Sequence, residues 1–310
     1  MQHFAQISDP HLSSLEGVHL SELLSKRALG YLSWSRRRRF EHRPEVLAAL
    51  QRDLEQFEFD QVLVTGDLTH VGLPQEFRQA LAWLENLGAP DHVAVIPGNH
   101  DASVPTPWRD TFALWLDYMA SDVRAGPQDS LAALYPSLRK RGDIAFIGLS
   151  TACPKPPFMA TGTAGAEQLA HLPALLDAAH ASGQFRVVYL HHSPLPGRDK
   201  WRKRLTDAAE VQAIISRHGA ELVLNGHGHR SHYDELATTH GSVPVIAVPS
   251  ASALGLHRGN PASYNCYCVE RNDEGWQLAI HSRDYQPGSG KFSAGESRQV
   301  QLAREYPRGS

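Results

Sequence analysis

The chain has 310 residues, a hydrophobic fraction of 42% and a formal net charge of −3. It can therefore bury a sizeable core, and it is not built as a general nucleic-acid binder. Its three cysteines, Cys153, Cys266 and Cys268, are an odd number and read as thiols in a reducing compartment rather than as a disulfide framework, and no apolar run approaches the ~20 residues that span a bilayer.

In chain order, residues 4–8 read as a strand ending at Asp9-Pro10-His11. The first residues lack a basic region followed by a long apolar core, so no signal peptide is expected and the expected location is cytoplasmic. Residues 19–33 read as a helix with Leu20, Leu23, Leu24, Ala28, Tyr31 and Leu32 on one stripe and Lys26 and Arg27 off it. Trp34 and then Arg36, Arg37, Arg38 and Arg39 follow, completing a basic amphipathic insertion at about 15–43. Three readings stand. It is a helix packed on the body with a solvated basic loop. Or it is an interfacial helix whose belt residue Trp34 and arginines, through 20–43, meet anionic lipid at the inner face of a membrane. Or it is a lid whose arginines collect phosphate-bearing substrates.

Pro44 opens a helix over 45–57, a strand follows at 60–65, and a helix at 74–87 stops at Gly88. Residues 93–96 form a third strand and 107–121 a helix, before a fourth strand at 144–149. Residues 154–165, rich in Pro, Gly and Thr, read as a loop over the site. Helix 166–181, strand 186–190, helix 207–218 and strand 220–224 complete the alternation. Strands at 243–248, 264–270 and 276–283 then read as a meander. The expected organisation is a single domain over 1–285, closed by a polar C-terminal strand and tail at 286–310. Two packed sheets flanked by helices fit best, although the alternation alone equally suits a doubly wound sheet.

The chemistry sits at the strand ends. Five strands finish in metal-binding residue types: Asp9-Pro10-His11, Gly66-Asp67, Gly98-Asn99-His100-Asp101, His191-His192 and Gly226-His227-Gly228-His229. Any one of these has a bland reading as a helix cap, a turn residue or a satisfied core histidine. Five such endings converge in one crevice if the strands share a sheet edge. Eighteen histidines in the chain fit the same chemistry. Carboxylate, imidazole and amide oxygen without thiolate suit Mn, Fe, Zn or Co. The seven ligand candidates Asp9, His11, Asp67, Asn99, His191, His227 and His229 are too many for one ion and suffice for two with Asp67 shared. Two ions ~3.5–4 Å apart are a recognised device for hydrolysing phosphate esters. The glycines before Asp67, Asn99 and His227 let the backbone approach closely.

In this order the five blocks resemble the pattern of the metallophosphoesterase (calcineurin-like phosphoesterase) superfamily. Asn-His-Asp in the third block and His-His before Pro194 in the fourth are similar to its bacterial cyclic-nucleotide and glycerophosphodiester phosphodiesterase branch. The resemblance spans residues 9–229. It implies an αββα sandwich of two mixed sheets. It implies one ion held by Asp9, His11, Asp67 and His229 and another by Asp67, Asn99, His191 and His227. His100 would face the substrate, with Asp101 or His70 as its partner. His191 is assigned as the ligand because it falls nearer the strand end, with His192 supporting it. The second block, Gly-Asp-Leu-Thr-His, departs from the protein-phosphatase form, which disfavours a phosphoprotein substrate.

The expected activity is hydrolysis of a phosphate ester, foremost a phosphodiester, by a hydroxide between the two ions. His100 would protonate the leaving group or hydrogen-bond to it, with Asp101 and His192 as further catalytic candidates. Asn99, His100 and Arg198, the last in a second basic loop, are the substrate-binding candidates. The alternative within the enzyme class is a pyrophosphate- or monoester-cleaving enzyme on a nucleotide-activated or membrane-lipid precursor. An intact ligand set argues against a metal-free scaffold. The expected partner is a small-molecule or lipid-linked phosphate ester, and no specific nucleic-acid partner is expected.

Overall fold

The computed structural model of the chain describes residues 1–303 other than 13, 16, 17, 24, 25, 125, 240 and 257–259. In chain order the strands are β1 (Gln2–Ile7), β2 (Gln61–Val64), β3 (Val93–Val95), β4 (Ser137–Arg141), β5 (Ile144–Leu149) and β6 (Phe185–Leu190). They continue with β7 (Leu222–Asn225), β8 (His232–Thr238), β9 (Gly241–Ala247), β10 (Ser263–Asn272), β11 (Gly275–Gln286) and β12 (Lys291–Ala303). They make two six-stranded mixed sheets, ordered β12-β11-β10-β1-β2-β3 and β4-β5-β6-β7-β9-β8.

Side-chain alternation explains why the sheets stack. On β5, Phe146 enters a core shared with Phe4 and Tyr267 of the first sheet, whereas Ile147 and Leu149 enter a separate cluster. On β6, Val187 and Tyr189 face the shared core while Val188 and Leu190 face the other way. A strand buried on both faces reads as a near-continuous apolar run, and β6 is FRVVYL. The outward cluster is closed by Leu172 and Leu176 of helix Ala166–Ala181 and by Val211 and Ile215 of helix Ala208–His218. Helices Pro44–Leu54 and Pro74–Leu87 contribute Leu50, Phe77 and Leu84 to the large core. The four-layer arrangement expected from the sequence is the one that forms.

Several local expectations are corrected. Residues 243–248 do not belong to a meander with the later strands. They form β9, parallel to β7 in the second sheet, while β10, β11 and β12 are hairpin-connected in the first. Strands β4 and β8 have no strand-like pattern in the sequence. Both are sheet edges, SLRKR and HYDELAT, where charge takes the place of apolar alternation. The helix expected over 107–121 is broken into Trp108–Asp110, Phe112–Trp115 and Leu116–Met119. The Thr111 hydroxyl donates to the Pro107 carbonyl (2.7 Å), competing with the helix ladder. Its apolar spacing still serves packing, since Phe112, Trp115 and Met119 all reach the core.

The insertion also differs from expectation. Helix Lys26–Ser33 runs on through a π-helical turn, Trp34–Arg38, and a short helix, Arg39–Glu41, so the four arginines lie on helical backbone, not in a loop. Trp34 is no belt residue, because it is buried against Leu15, Val71 and Leu73. Gly30 permits this docking, as a Cβ there would meet the Val71 side chain at 2.5 Å. The expected stripe packs only in part: Leu23 is buried and Tyr31 packs beside Trp34. Ala28 and Leu32 are exposed and Leu24 lies outside the described residues. The expected tail at 304–310 also lies outside them, whereas 291–303 form the edge strand β12, paired to β11 except at an irregularity around residues 295–296. The three cysteines are free thiols, each partly buried.

Candidate metal centre

The parallel strands β1, β2 and β3 of one sheet and β6 and β7 of the other all end at the same rim of the sandwich. Past each end the backbone turns sharply. Asp9 (φ 50°), His11 (43°), Asp67 (58°), His227 (64°) and His229 (53°) all adopt left-handed conformations, and Phe158 is the one other non-glycine residue to do so among those described. Such conformations are rare for side-chain-bearing residues and cost ~1–3 kcal/mol each. Here they bend two donors from a three-residue segment back toward one point. The glycines work as expected. A Cβ on Gly98 would collide with the Asp67 carboxylate, and one on Gly66 would sit 2.6 Å from His191 Nδ1.

The imidazoles are oriented by their far nitrogens. His11 Nδ1 hydrogen-bonds the Thr69 carbonyl (3.0 Å) and His191 Nδ1 the Thr65 carbonyl (2.7 Å), which aims both Nε2 atoms inward. His11 Nε2 and His229 Nε2 are then 3.4 Å apart, and His229 Nε2 is 3.1 Å from Asp9 Oδ1. The other Asp9 oxygen accepts from Ser8 Oγ (2.6 Å) and from the His227 amide (3.0 Å). On the other side of Asp67, His191 Nε2 stands 3.3 Å from Asp67 Oδ2. Asp67 Oδ1 accepts from the His100 amide (2.7 Å). Ligand atoms of Asp9, Asp67 and His191 all lie within 4.8 Å of one another.

Buried Asn99 Oδ1 and His227 Nε2 find no hydrogen-bond partner among the described residues, and Asp9 Oδ1 and His191 Nε2 meet the opposing His229 and Asp67 side chains only in poor hydrogen-bond geometry. Buried polar atoms left in this way cost ~1–3 kcal/mol each. Four converging lone-pair atoms are what a cation site supplies. Burial, followed by neighbouring histidines, holds His11 and His227 well below the usual imidazole range, so both stay neutral as ligands must. Burial also disfavours charge on His191, but the Asp67 carboxylate overrides it and raises that imidazole to about 10. A cation held by Asp67 and His191 would take the place of the proton between them. Asp9, His11, Asp67 and His229 on one side, and Asp67, Asn99, His191 and His227 on the other, fit two divalent ions of hard or borderline character.

The remaining candidates fall in different places. His100 lines a cavity of about 750 Å³ above the ligands. Its Nδ1 hydrogen-bonds the His70 carbonyl (2.7 Å), and Arg38 approaches its Nε2 at 3.0 Å. Burial and then Arg38 push His100 down to about 3. Its partner is therefore the His70 backbone, neither the His70 ring nor Asp101. Asp101 does not reach the cavity. Its carboxylate accepts from the amides of Asp67 (3.0 Å), Thr69 (2.8 Å) and Gly98 (2.8 Å) and from the Thr69 hydroxyl (3.0 Å), bracing two ligand loops from behind. Both ring nitrogens of His192 are occupied, by Thr151 Oγ1 (2.7 Å) and the Ala160 carbonyl (3.1 Å), leaving it to pack beside His227. Arg198 lies outside the cavity and is ion-paired to Asp234. Lys203 of the same loop lines the cavity instead.

Two residues at the site are not singled out by the sequence: His42, which none of its blocks contains, and Arg38, which enters only as one of the four arginines of the lid reading. His42 lies 4.6 Å from His11 between ring centroids and, through Nδ1, 2.8 Å from Ser252 Oγ. It groups with His11 and His229 as a further cluster of donor atoms. Arg38 is the second, brought to His100 by the helical path of the insertion. The histidine count was the one signal for His42, and nothing distinguished Arg38 within its run of four.

A family model described as calcineurin-like phosphoesterase matches residues 2–231. No curated protein sequence matches the chain. Among solved structures, a dimetal phosphatase from Danio rerio is similar over 98% of this chain and 99% of its own, at 12% identity with a TM-score of 0.58. A protein of Thermus thermophilus is similar over 95% and 98% at 13% identity (TM-score 0.46), and Vps29 from Chaetomium thermophilum over 98% and 100% at 9% (0.44). At 12% identity the first likeness speaks for the fold alone.

Proposed function

We propose that this chain, which belongs to the calcineurin-like phosphoesterase family and is a metal-dependent phosphoester hydrolase, acts on a phosphodiester. The observation that carries the reading is the cavity. It places Asp67, Asn99, His100, His227 and His229 on its floor and leaves about 750 Å³ beneath a wall of Leu29, Val71, Phe158 and Met159. That is room for two substituents on phosphorus, where a small monoester would need only one.

In this reading Asp9, His11, Asp67 and His229 hold one ion and Asp67, Asn99, His191 and His227 the other, with Mn, Fe, Zn and Co as the metals such donors suit. When bound, such a pair polarises the ester and lowers the pKa of a shared water toward ~7. The chain's own groups do the rest. Asp101 fixes the Asp67 and Gly98 loops through its donors. His100, anchored at Nδ1 on the His70 carbonyl, accepts at Nε2 from Arg38 (3.0 Å) and so holds that guanidinium at the cavity, where it can meet the phosphate oxygens. Arg38 and Lys203 line the cavity and attract the anionic substrate.

The test is turnover of bis-p-nitrophenyl phosphate against p-nitrophenyl phosphate by the manganese-loaded protein. Faster diester turnover is expected, and a monoester preference would overturn the reading. A second reading, cleavage of a pyrophosphate link in a nucleotide-activated precursor, draws support from the five cationic side chains lining the cavity, Lys26, Arg27, Arg37, Arg38 and Lys203. Preference for a nucleoside diphosphate ester over the simple diester would select it.

A further inference from the structure

The exposed apolar side chains are not scattered. Among the described residues nine large hydrophobics are exposed, and six of them, Leu29, Leu32, Phe40, Phe158, Trp201 and Leu256, belong to segments around the cavity mouth. These six are between 40% and 74% exposed. The segments are tied to one another. Lys26 donates to the carbonyls of Lys155 (3.3 Å) and Met159 (2.9 Å), joining the insertion helix to the 154–165 loop. The Ala160 amide donates to the Arg202 carbonyl (2.9 Å), joining that loop to the 198–206 loop. The amides of Leu254 and Gly255 donate to the carbonyl and carboxylate of Glu41, both at 2.9 Å, joining that segment to the other end of the insertion.

Cations accompany the apolar groups. Arg36, Arg37 and Arg39 are exposed on the insertion, and Lys200 and Arg202 on the facing loop. The Arg39 guanidinium lies 4.6 Å over the Phe40 ring, and the Arg202 guanidinium 5.2 Å over the Trp201 ring. Each pair combines an exposed aromatic body with a cationic head. Scattered surface apolar groups need no explanation, but six of them on joined segments beside cations of one sign mark an interaction surface. Aromatic and aliphatic groups beside lysine and arginine match the boundary between acyl chains and anionic headgroups.

We propose that this collar seats the enzyme on the surface of an anionic lipid bilayer, mouth downward, so that its ester substrate is taken from that surface. No described helix is long and apolar enough to cross a membrane, so the attachment is peripheral. The docking part stands on the collar alone; the substrate part rests on the phosphoester reading above.

The test is co-sedimentation of the full chain with vesicles of phosphatidylglycerol and phosphatidylcholine in equal parts, against phosphatidylcholine alone. The wild type should pellet with the anionic vesicles and be released by salt. A Phe40→Ser/Trp201→Ser double variant should lose ~10-fold or more of its partitioning, because apolar burial and not charge alone holds it there. An Arg36→Gln/Arg39→Gln variant should lose ~30-fold, as each cation near an anionic surface contributes ~1 kcal/mol. Both variants should keep the wild-type melting temperature and turnover of a soluble diester. No pelleting of the wild type, or a Phe40/Trp201 variant that pellets equally well, would overturn the proposal. So would binding to heparin without binding to vesicles. Loss of soluble-diester turnover in wild type that still pellets would instead count against the catalytic reading.

Discussion

The floor of the site and its rim are built by opposite means. On the floor, side chains leave strand ends through left-handed backbone, and their orienting hydrogen bonds come from the Thr65 and Thr69 carbonyls, from Ser8, from the His227 and His100 amides and from Asp101. Its positions cannot shift without moving a sheet. The rim is made of long basic side chains and exposed apolar ones on connections between strands, held together by a few bonds to carbonyls and to the Glu41 carboxylate. The floor is specified by backbone; the rim is specified by reach. Rate should therefore depend on the floor, and substrate choice and location on the rim.

That contrast can be broken most forcefully at Asp67. An Asp67→Asn protein should lose activity on the order of 10⁴-fold or more, since an ion supplies several kcal/mol of barrier and ~1.4 kcal/mol is tenfold. Its bound metal, measured by elemental analysis, should fall below two equivalents; full activity with two metals would refute the shared-ligand assignment. Next comes His100→Ala, which should lower kcat ~10²–10³-fold with metal content unchanged. Equal loss of metal and rate would move His100 from the cavity side to the ligand side. Ser8→Ala removes the 2.6 Å donor to Asp9 and should weaken metal affinity ~10–100-fold by competition titration. The smallest effect belongs to the rim. Lys26→Met should cost about 1 kcal/mol or less in a denaturant melt, because it unties only the 154–165 loop, while metal affinity stays at the wild-type value.

Legibility follows the same division. Asp9, His11, Asp67, Asn99, His191, His227 and His229 could be picked from the sequence because each sits just after an apolar strand, and strands that share a sheet bring their ends together. The sandwich was legible for a related reason, since alternate residues of β5 and β6 are apolar on both faces. Asp101 reads as a catalytic candidate and partner of His100 in the string Asn-His-Asp. Only the three-dimensional loop shows that its oxygens face the amides of Asp67, Thr69 and Gly98. Arg38 and His42 were illegible because a π-helical turn sets the phase of the insertion, and no hydrophobic period announces such a turn. Trp34 looked like a membrane anchor by type and proved to be the insertion's buried foot. The side chains that do face outward, Phe158 and Trp201, lie in loops with no pattern to read.

Anomalous diffraction from a crystal grown with manganese tests the central assignment most directly. It should show two peaks ~3.5–4 Å apart with the Asp67 carboxylate between them, one reached by Asp9, His11 and His229 and the other by Asn99, His191 and His227. A single peak, or two that leave Asp67 unshared, would contradict it.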